Sequence, residues 1–380
     1  FAALNPQLRV SHPNLSLDNW VVMANGLRGG AVRRAGKAHD QQPPIPLNGM
    51  DFRFDPLTGV GEAITGMGQF GNTFDDWGNR FVCDNRHHLR HVVLSNRYLK
   101  RNPHLAVSEA LFDTSELELG EGGGGSKVYP LSKNWTTSNL HAGRFTAACG
   151  VFIYRGKLLP AALQGAGLTC DPTGNLVHAE TLQPLGGTFR SKPVYDQREL
   201  IASTDDWFRP VFLAHGPEGA LYVVDMSRAV IEHPEFMPIE LKQRPDLTWG
   251  RSSGRIWRVV PDSAASPRVR PNLAQASVEE LVNTLEHPEV WWRSTAQRLL
   301  LQRQDPSAVK PLSALLAQSR VPQAEVLAAW LLNTSKALEA SQVTRLLEDE
   351  SPRVREQALI LAERFLPASE PIQKRATALA

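Results

Sequence analysis

GPEGALYVVD, residues 216–225, is the stretch whose reading decides the fold. Gly216, Pro217 and Gly219 form a tight turn, Leu221, Tyr222, Val223 and Val224 are β-prone, and Asp225 closes the phrase. The phrase recurs as DDWGNRFVCD at 75–84 and as DPTGNLVHAE at 171–180. In each copy a turn glycine (Gly78, Gly174, Gly219) is followed six residues later by an acid (Asp84, Glu180, Asp225). A weaker copy, SLDNWVVMAN at 16–25, ends on Asn25 instead of an acid. The glycines stand 96 and 45 residues apart, which predicts a unit of roughly 45–48 residues with one unit disguised between the first two copies. A turn-plus-strand phrase at this period is the mark of β-propeller blades, with a sandwich as the alternative.

Composition narrows the class. The chain has 380 residues, 42% hydrophobic and 21% charged, so it is globular with room for two domains. Its 41 basic and 39 acidic residues nearly balance, which argues against a nucleic-acid surface. The longest apolar run, VLAAWLLN at 326–333, falls far short of the roughly 18 residues that a membrane span needs. Cys83, Cys149 and Cys170 form no CxxC pair, so a metal or redox motif of that kind is not expected. A Cys149–Cys170 disulfide and buried free thiols remain the two alternatives. The chain opens at Phe1 without a signal peptide and reads as a fragment or processed product, with an export signal and one or two blades lost.

Residues 1–262 therefore read as a mainly β unit, a partial propeller. PDSAASPRVRP at 261–271 is a linker by composition, and 263–380 read as a small all-α unit. Ser277 and Glu280 have the spacing of a capping box. Pro288, Pro322 and Pro352 each open a predicted helix, at spacings of 34 and 30, where a missing N–H costs nothing. Helix pairs at about 32 residues describe a short solenoid of HEAT type. Trp291 and Trp292 read as packing residues.

Several residues could carry chemistry. The blade-closing acids, Asp225 among them, can serve a ligand or cap a turn. Asn85, Arg86, His87 and His88 follow a strand end directly. Adjacent histidines on a strand face opposite ways, so they are not a ready metal pair, although one could line a pocket. His12 precedes the first strand, and His141 and Arg144 precede the strand around Cys149. Arg209, Arg228 and Arg251 lie beside the last strands, where converging guanidiniums would suit an anionic ligand. Walker, GxSxG, HExxH and CxxCH motifs are absent, so the chain attaches no c-type haem itself.

FRFDPLTG at 52–59, the long run 69–107, FTAACGVFIYRG at 145–156, CDPTGNLVH at 170–178, DDWFRPV at 205–211 and GPEGALYVVDMSRAVIEHPEF at 216–236 together resemble the membrane-bound dehydrogenase family of bacteria. The resemblance covers residues 1–262. It implies a propeller like that of the soluble quinoprotein glucose and sorbosone dehydrogenases, HEAT repeats after it, and often a c-type cytochrome domain or partner. It further implies an exported, periplasmic enzyme that oxidises a sugar or other alcohol with pyrroloquinoline quinone and Ca²⁺. His12 is the nearest match to the family's catalytic base, with Asp18 the acid nearest in sequence. Gln69, in GMGQFG, stands near the place of the family's arginine. Asn25-Gly26 replaces the family's glycine–aspartate. Asn85, Arg86, His141, Arg209 and Arg228 flank blade strands at loop positions and are expected to share one pocket at an end of the channel; with Gln69 and Asp225 they make the candidate cofactor set, and the metal ligands are unassigned. These departures also leave room for a non-catalytic propeller–HEAT scaffold that binds carbohydrate or protein.

Overall fold

A computed structural model describes residues 8–27, 29–36, 43–102, 104, 107, 109–115, 126–133, 143–233, 235, 237–262 and 270–379. The chain divides into two compact units.

The first unit is mainly β. Strands β1 (Ser11–Leu15) and β2 (Val21–Ala24) are followed by a small ribbon, β3 (Ala31–Val32) with β4 (Ile45–Pro46). β5 (Asp51–Phe54) and β6 (Gly61–Ile64) complete a first sheet in the order β1-β2-β5-β6. β7 (Asn72–Phe74), β8 (Arg80–Val82), β9 (Arg90–Val92) and β10 (Leu111–Asp113) form the second, with the short helix α1 (Asn96–Leu99) between its last strands. β11 (Cys149–Ile153), β12 (Gly167–Asp171), β13 (Leu176–Leu185) and β14 (Thr188–Pro193) form the third, with β15 (Ile201–Ala202) also pairing β13. β16 (Pro210–His215), β17 (Leu221–Asp225) and β18 (Arg255–Val259) form the fourth, after which the helix α2 (Ile239–Lys242) is placed by sequence inside the β17–β18 connection. The four sheets make a propeller-like ring.

The first strand of each sheet lines the ring. β11 packs against both β7 and β16. Asn14 Nδ2 donates to the Asn72 carbonyl at 2.7 Å and Asn72 Nδ2 donates to the His12 carbonyl at 2.6 Å, which joins β1 to β7. The His12 ring lies 5.6 Å from that of Phe212, which brings β16 beside β1. Phe81, Leu89, Val151 and Ile153 fill the space between the second and third sheets. Leu168, Leu213, Leu221 and Val223 belong to the core of the third and fourth. Tyr154 fastens that core to the repeated turn: its buried hydroxyl donates to the Gly219 carbonyl at 2.6 Å and accepts from Leu159 N.

The repeat maps onto hairpins, with two departures. Gly78 and Gly219 adopt the left-handed turn conformation expected of glycine (φ +83° and +85°). In the third sheet Asn175 takes it instead (φ 55°), because Asp171 caps the amides of Thr173 and Gly174 and pushes the reversal one residue on. That copy also sits one strand further from the ring, on the β12–β13 turn. Among the described residues no sheet lies between β10 and β11, so the disguised unit expected there is not found. The 96-residue spacing combines a long connection with this one-strand offset.

The second unit comprises Leu15–Trp20, Asp76–Gly78 and the C-terminal residues from the linker onward. Its helices are α3 (Val278–Thr284), α4 (Val290–Arg303), α5 (Val309–Gln318), α6 (Pro322–Thr334), α7 (Ala340–Leu347), α8 (Pro352–Ala362) and α9 (Glu370–Leu379). The Ser277–Glu280 capping box forms as expected. Pro322 and Pro352 occupy the first position of α6 and α8, whereas Pro288 lies ahead of the Glu289 cap of α4. α6 is buried along nearly its whole length, from Ala324 to Leu332. Polar side chains of α4, α6 and α8 hold the two early loops. Asn19 donates to the Trp330 carbonyl and to Thr334, and accepts from Gln297. Arg293 pairs with Asp76, and Gln357 donates to the Trp77 carbonyl while accepting from Trp330 Nε1.

Glu325 on α6 is buried, and its Oε2 has no hydrogen-bond partner. Burial, and then the negative charge of Asp349, push its pKa up to about 7. Between the ordinary carboxyl range and that value the folded chain holds a proton that the unfolded chain has released, so stability falls as pH rises through this window. Glu325→Gln should therefore raise the melting temperature at about pH 8 by a few degrees and leave it unchanged at about pH 4. Thermal melts at the two pH values check this; an equal effect at both would contradict it.

Candidate functional site

Of the residues singled out in the sequence, His12, Gln69 and Asn85 come together. His12 sits in the left-handed region (φ 54°), with Nδ1 3.0 Å from Ser11 Oγ. Ser11 Oγ in turn reaches the Gln69 carbonyl. Gln69 Oε1 accepts from Asn85 N at 3.0 Å, and the Asn85 carbonyl accepts from Ala148 N. Burial pushes the His12 pKa down to about 4, so its imidazole is neutral at physiological pH. Asp18 is engaged by Ser16 Oγ and Trp20 N. Arg86 is half-buried beside this cluster in sequence, with its backbone N–H on Asp84. His141 lies outside the described residues.

Arg209, Asp225 and Arg228 form a second group, and it is built into the backbone. Arg209 donates from Nε to the Arg228 carbonyl at 3.0 Å, from Nη1 to that of Pro172 at 2.6 Å and from Nη2 to that of Ala229 at 2.8 Å. The Nε–Nη2 edge, the side that grips a carboxylate bidentately, is thus filled by carbonyls. Asp225 accepts from Arg209 N, Ser227 N and Trp257 Nε1. Arg228 is half-buried and meets Arg209 through its carbonyl. An anionic ligand would find this edge of Arg209 already occupied.

The closing residues of the repeated phrase separate by use. Asn25 Oδ1 caps Leu27 N, Asp84 Oδ1 caps Arg86 N, and Asp225 Oδ1 caps Ser227 N, each two residues on. These are Asx turns that end a strand. Glu180 does something else. It lies within β13 and is fully buried. Its Oε1 stands 3.2 Å from His88 Nε2 and 3.3 Å from His178 Nε2, and its two oxygens accept from Ser115 and Ser191. His178 Nδ1 lies 2.6 Å from Glu199 Oε2, and Glu199 Oε1 accepts from Tyr129 N. Burial opposes charge on His178, but the hydrogen bonds to Glu180 and Glu199 win and raise its pKa to about 9. The His88 ring stacks on Phe145 at 4.5 Å, and its Nε2 has no hydrogen-bond partner. Sequence reading passed over His178. The available signal was His178-x-Glu180 on a strand, which puts both side chains on one face.

The cysteines are buried free thiols. Cys149 and Cys170 are direct partners across β11 and β12, and burial raises both pKa values.

Residues 1–263 match a family described as Domain of unknown function (DUF7133). The chain belongs to this family. The match spans all four sheets of this DUF7133 protein and includes every site residue named above. No curated protein matches the chain. No helix among the described residues is long and apolar enough to cross a membrane.

The Arg209 clamp is open to test. Arg209→Ala should strand the carbonyls of Pro172, Arg228 and Ala229 and destabilise the β unit by about 2–4 kcal/mol, with Arg209→Lys recovering only part. Urea unfolding measures this; a loss under about 0.5 kcal/mol would mean the clamp is dispensable.

Proposed function

We propose that this chain is a non-catalytic scaffold, a propeller-type β unit with a HEAT-type helical solenoid, that binds carbohydrate or protein. The observation that carries this reading is the commitment of Arg209, the cation best placed for an anionic cofactor, to three backbone carbonyls. Exposed aromatic surface supports it: Trp249 and Trp257 are 57% and 46% exposed, the kind of residue that binding faces favour. The HEAT-type reading of the helical unit is supported by Pro322 and Pro352 opening α6 and α8 thirty residues apart.

A second reading is a quinoprotein-like dehydrogenase of sugars or alcohols, periplasmic and coupled to a cytochrome partner. What favours it is His12, a neutral imidazole in one cluster with Gln69 and Asn85. Neutral imidazole accepts a hydroxyl proton, although a pKa near 4 makes it a weak base at neutral pH.

Calorimetric titration of the full chain with pyrroloquinoline quinone and calcium, followed by dye reduction over a panel of sugars and alcohols, separates the two. The scaffold reading expects neither saturable quinone binding nor dye reduction. Saturable binding with turnover that falls by roughly 10²–10⁴ in His12→Gln would replace it with the dehydrogenase.

A further inference from the structure

We propose that His88, His178 and Glu180 form a binding site for one divalent transition-metal ion, with Glu199 positioning His178. The inference is independent of which functional reading holds.

The first support is geometry. The three donor atoms, His88 Nε2, His178 Nε2 and Glu180 Oε1, all lie within 4.8 Å of one another. Ligands held about 2.0–2.1 Å from a tetrahedral ion stand about 3.3 Å apart. The two nitrogens are 3.2 and 3.3 Å from Glu180 Oε1, which matches that spacing on two of the three edges.

The second support is an unexplained polar atom. His88 is 2% exposed, and its Nε2 stands 3.2 Å from Glu180 Oε1, an ion-pair contact that falls outside hydrogen-bond geometry. A buried polar atom left unsatisfied is costly, and buried polar atoms ordinarily find a partner. Nothing about His88 is loose: Phe145 stacks on its ring face and the His178 ring meets it edge-on at 5.2 Å. That nitrogen is held at a point where an ion would use it.

The third support lies behind the ligands. A metal-bound histidine typically passes its other nitrogen to a carboxylate, which fixes the ring and strengthens the ligand. His178 Nδ1 does this with Glu199, itself held by Tyr129 N. Ser191 holds the second oxygen of Glu180, while Oε1 accepts from Ser115 Oγ and faces both histidines. The two carboxylates, Glu180 and Glu199, match the charge of a dication. Loading therefore exchanges the His178 Nε2 proton for the metal, and that proton leaves to solvent. Two imidazoles and a carboxylate favour zinc or iron(II) over calcium or magnesium, which prefer oxygen.

The test uses the full chain, stripped with chelator under mild denaturation because the ligands are buried, then refolded and titrated with zinc(II) and with cobalt(II). One equivalent should bind, with a tetrahedral-type cobalt spectrum, a raised melting temperature and no competition from calcium or magnesium. His88→Gln and His178→Gln should abolish binding, Glu199→Gln should weaken it by about 10–100-fold, and His87→Gln should leave it intact. Should the ligand variants fail to fold, X-ray absorption of the zinc-loaded wild type reads two imidazoles in the first shell. Failure of the wild type to bind, binding that survives both ligand substitutions in folded protein, or a first shell without imidazole would each overturn the assignment.

Discussion

Each sheet of the ring has three to five strands, most of them two to six residues long, so a single sheet offers only a small apolar face. Everything in the β unit follows from that constraint. Each sheet must find its apolar contacts on the next one, and the ring is how four of them do so at once. The inner strands then crowd together, and their backbone groups need partners across sheet boundaries. Asn14 and Asn72 provide them between β1 and β7. Tyr154 does the same for the Gly219 turn, and Arg80 forms a buried pair with Asp51 between the first two sheets. Polar side chains of this kind are costly to bury and are held because the neighbouring sheet completes their hydrogen bonds.

The same constraint sorts structural acids from an acid with spare capacity. Asn25, Asp84 and Asp225 sit where a strand ends and the chain must turn, and each spends an oxygen on the amide two residues ahead. Glu180 lies within the longest strand, where the sheet itself satisfies the backbone and no turn needs a cap. Its carboxylate is free to meet side chains from elsewhere, and it meets two histidines. An internal repeat thus hides a difference in partners: the position is shared, and the strand around it decides what the side chain meets.

The helical unit shows how little of a domain boundary is written in composition. The linker near residue 262 marks where the chain changes character, yet residues 15–20 and 76–78 belong with the helices. Asn19, Asp76 and Trp77 bring polar groups that Gln297, Arg293 and Gln357 complete. These long-range pairs reach across more than two hundred residues of sequence, and nothing local in either partner announces them.

By itself the sequence determined the element types: hairpins after Gly78 and Gly219, the capping box at Ser277, helices opening on Pro322 and Pro352, and the change from β to α near 262. Those features depend on backbone preference and short-range hydrogen bonds, which neighbouring residues fully specify. Tertiary structure decided the rest. That Arg209 clamps three carbonyls depends on where the chain near Pro172 and Ala229 returns. That His88, His178, Glu180 and Glu199 share one buried site depends on β13 packing beside a loop about ninety residues earlier. Side-chain chemistry at that distance is set by folding topology, and a linear pattern carries only its local fragment, His178-x-Glu180 on one strand face.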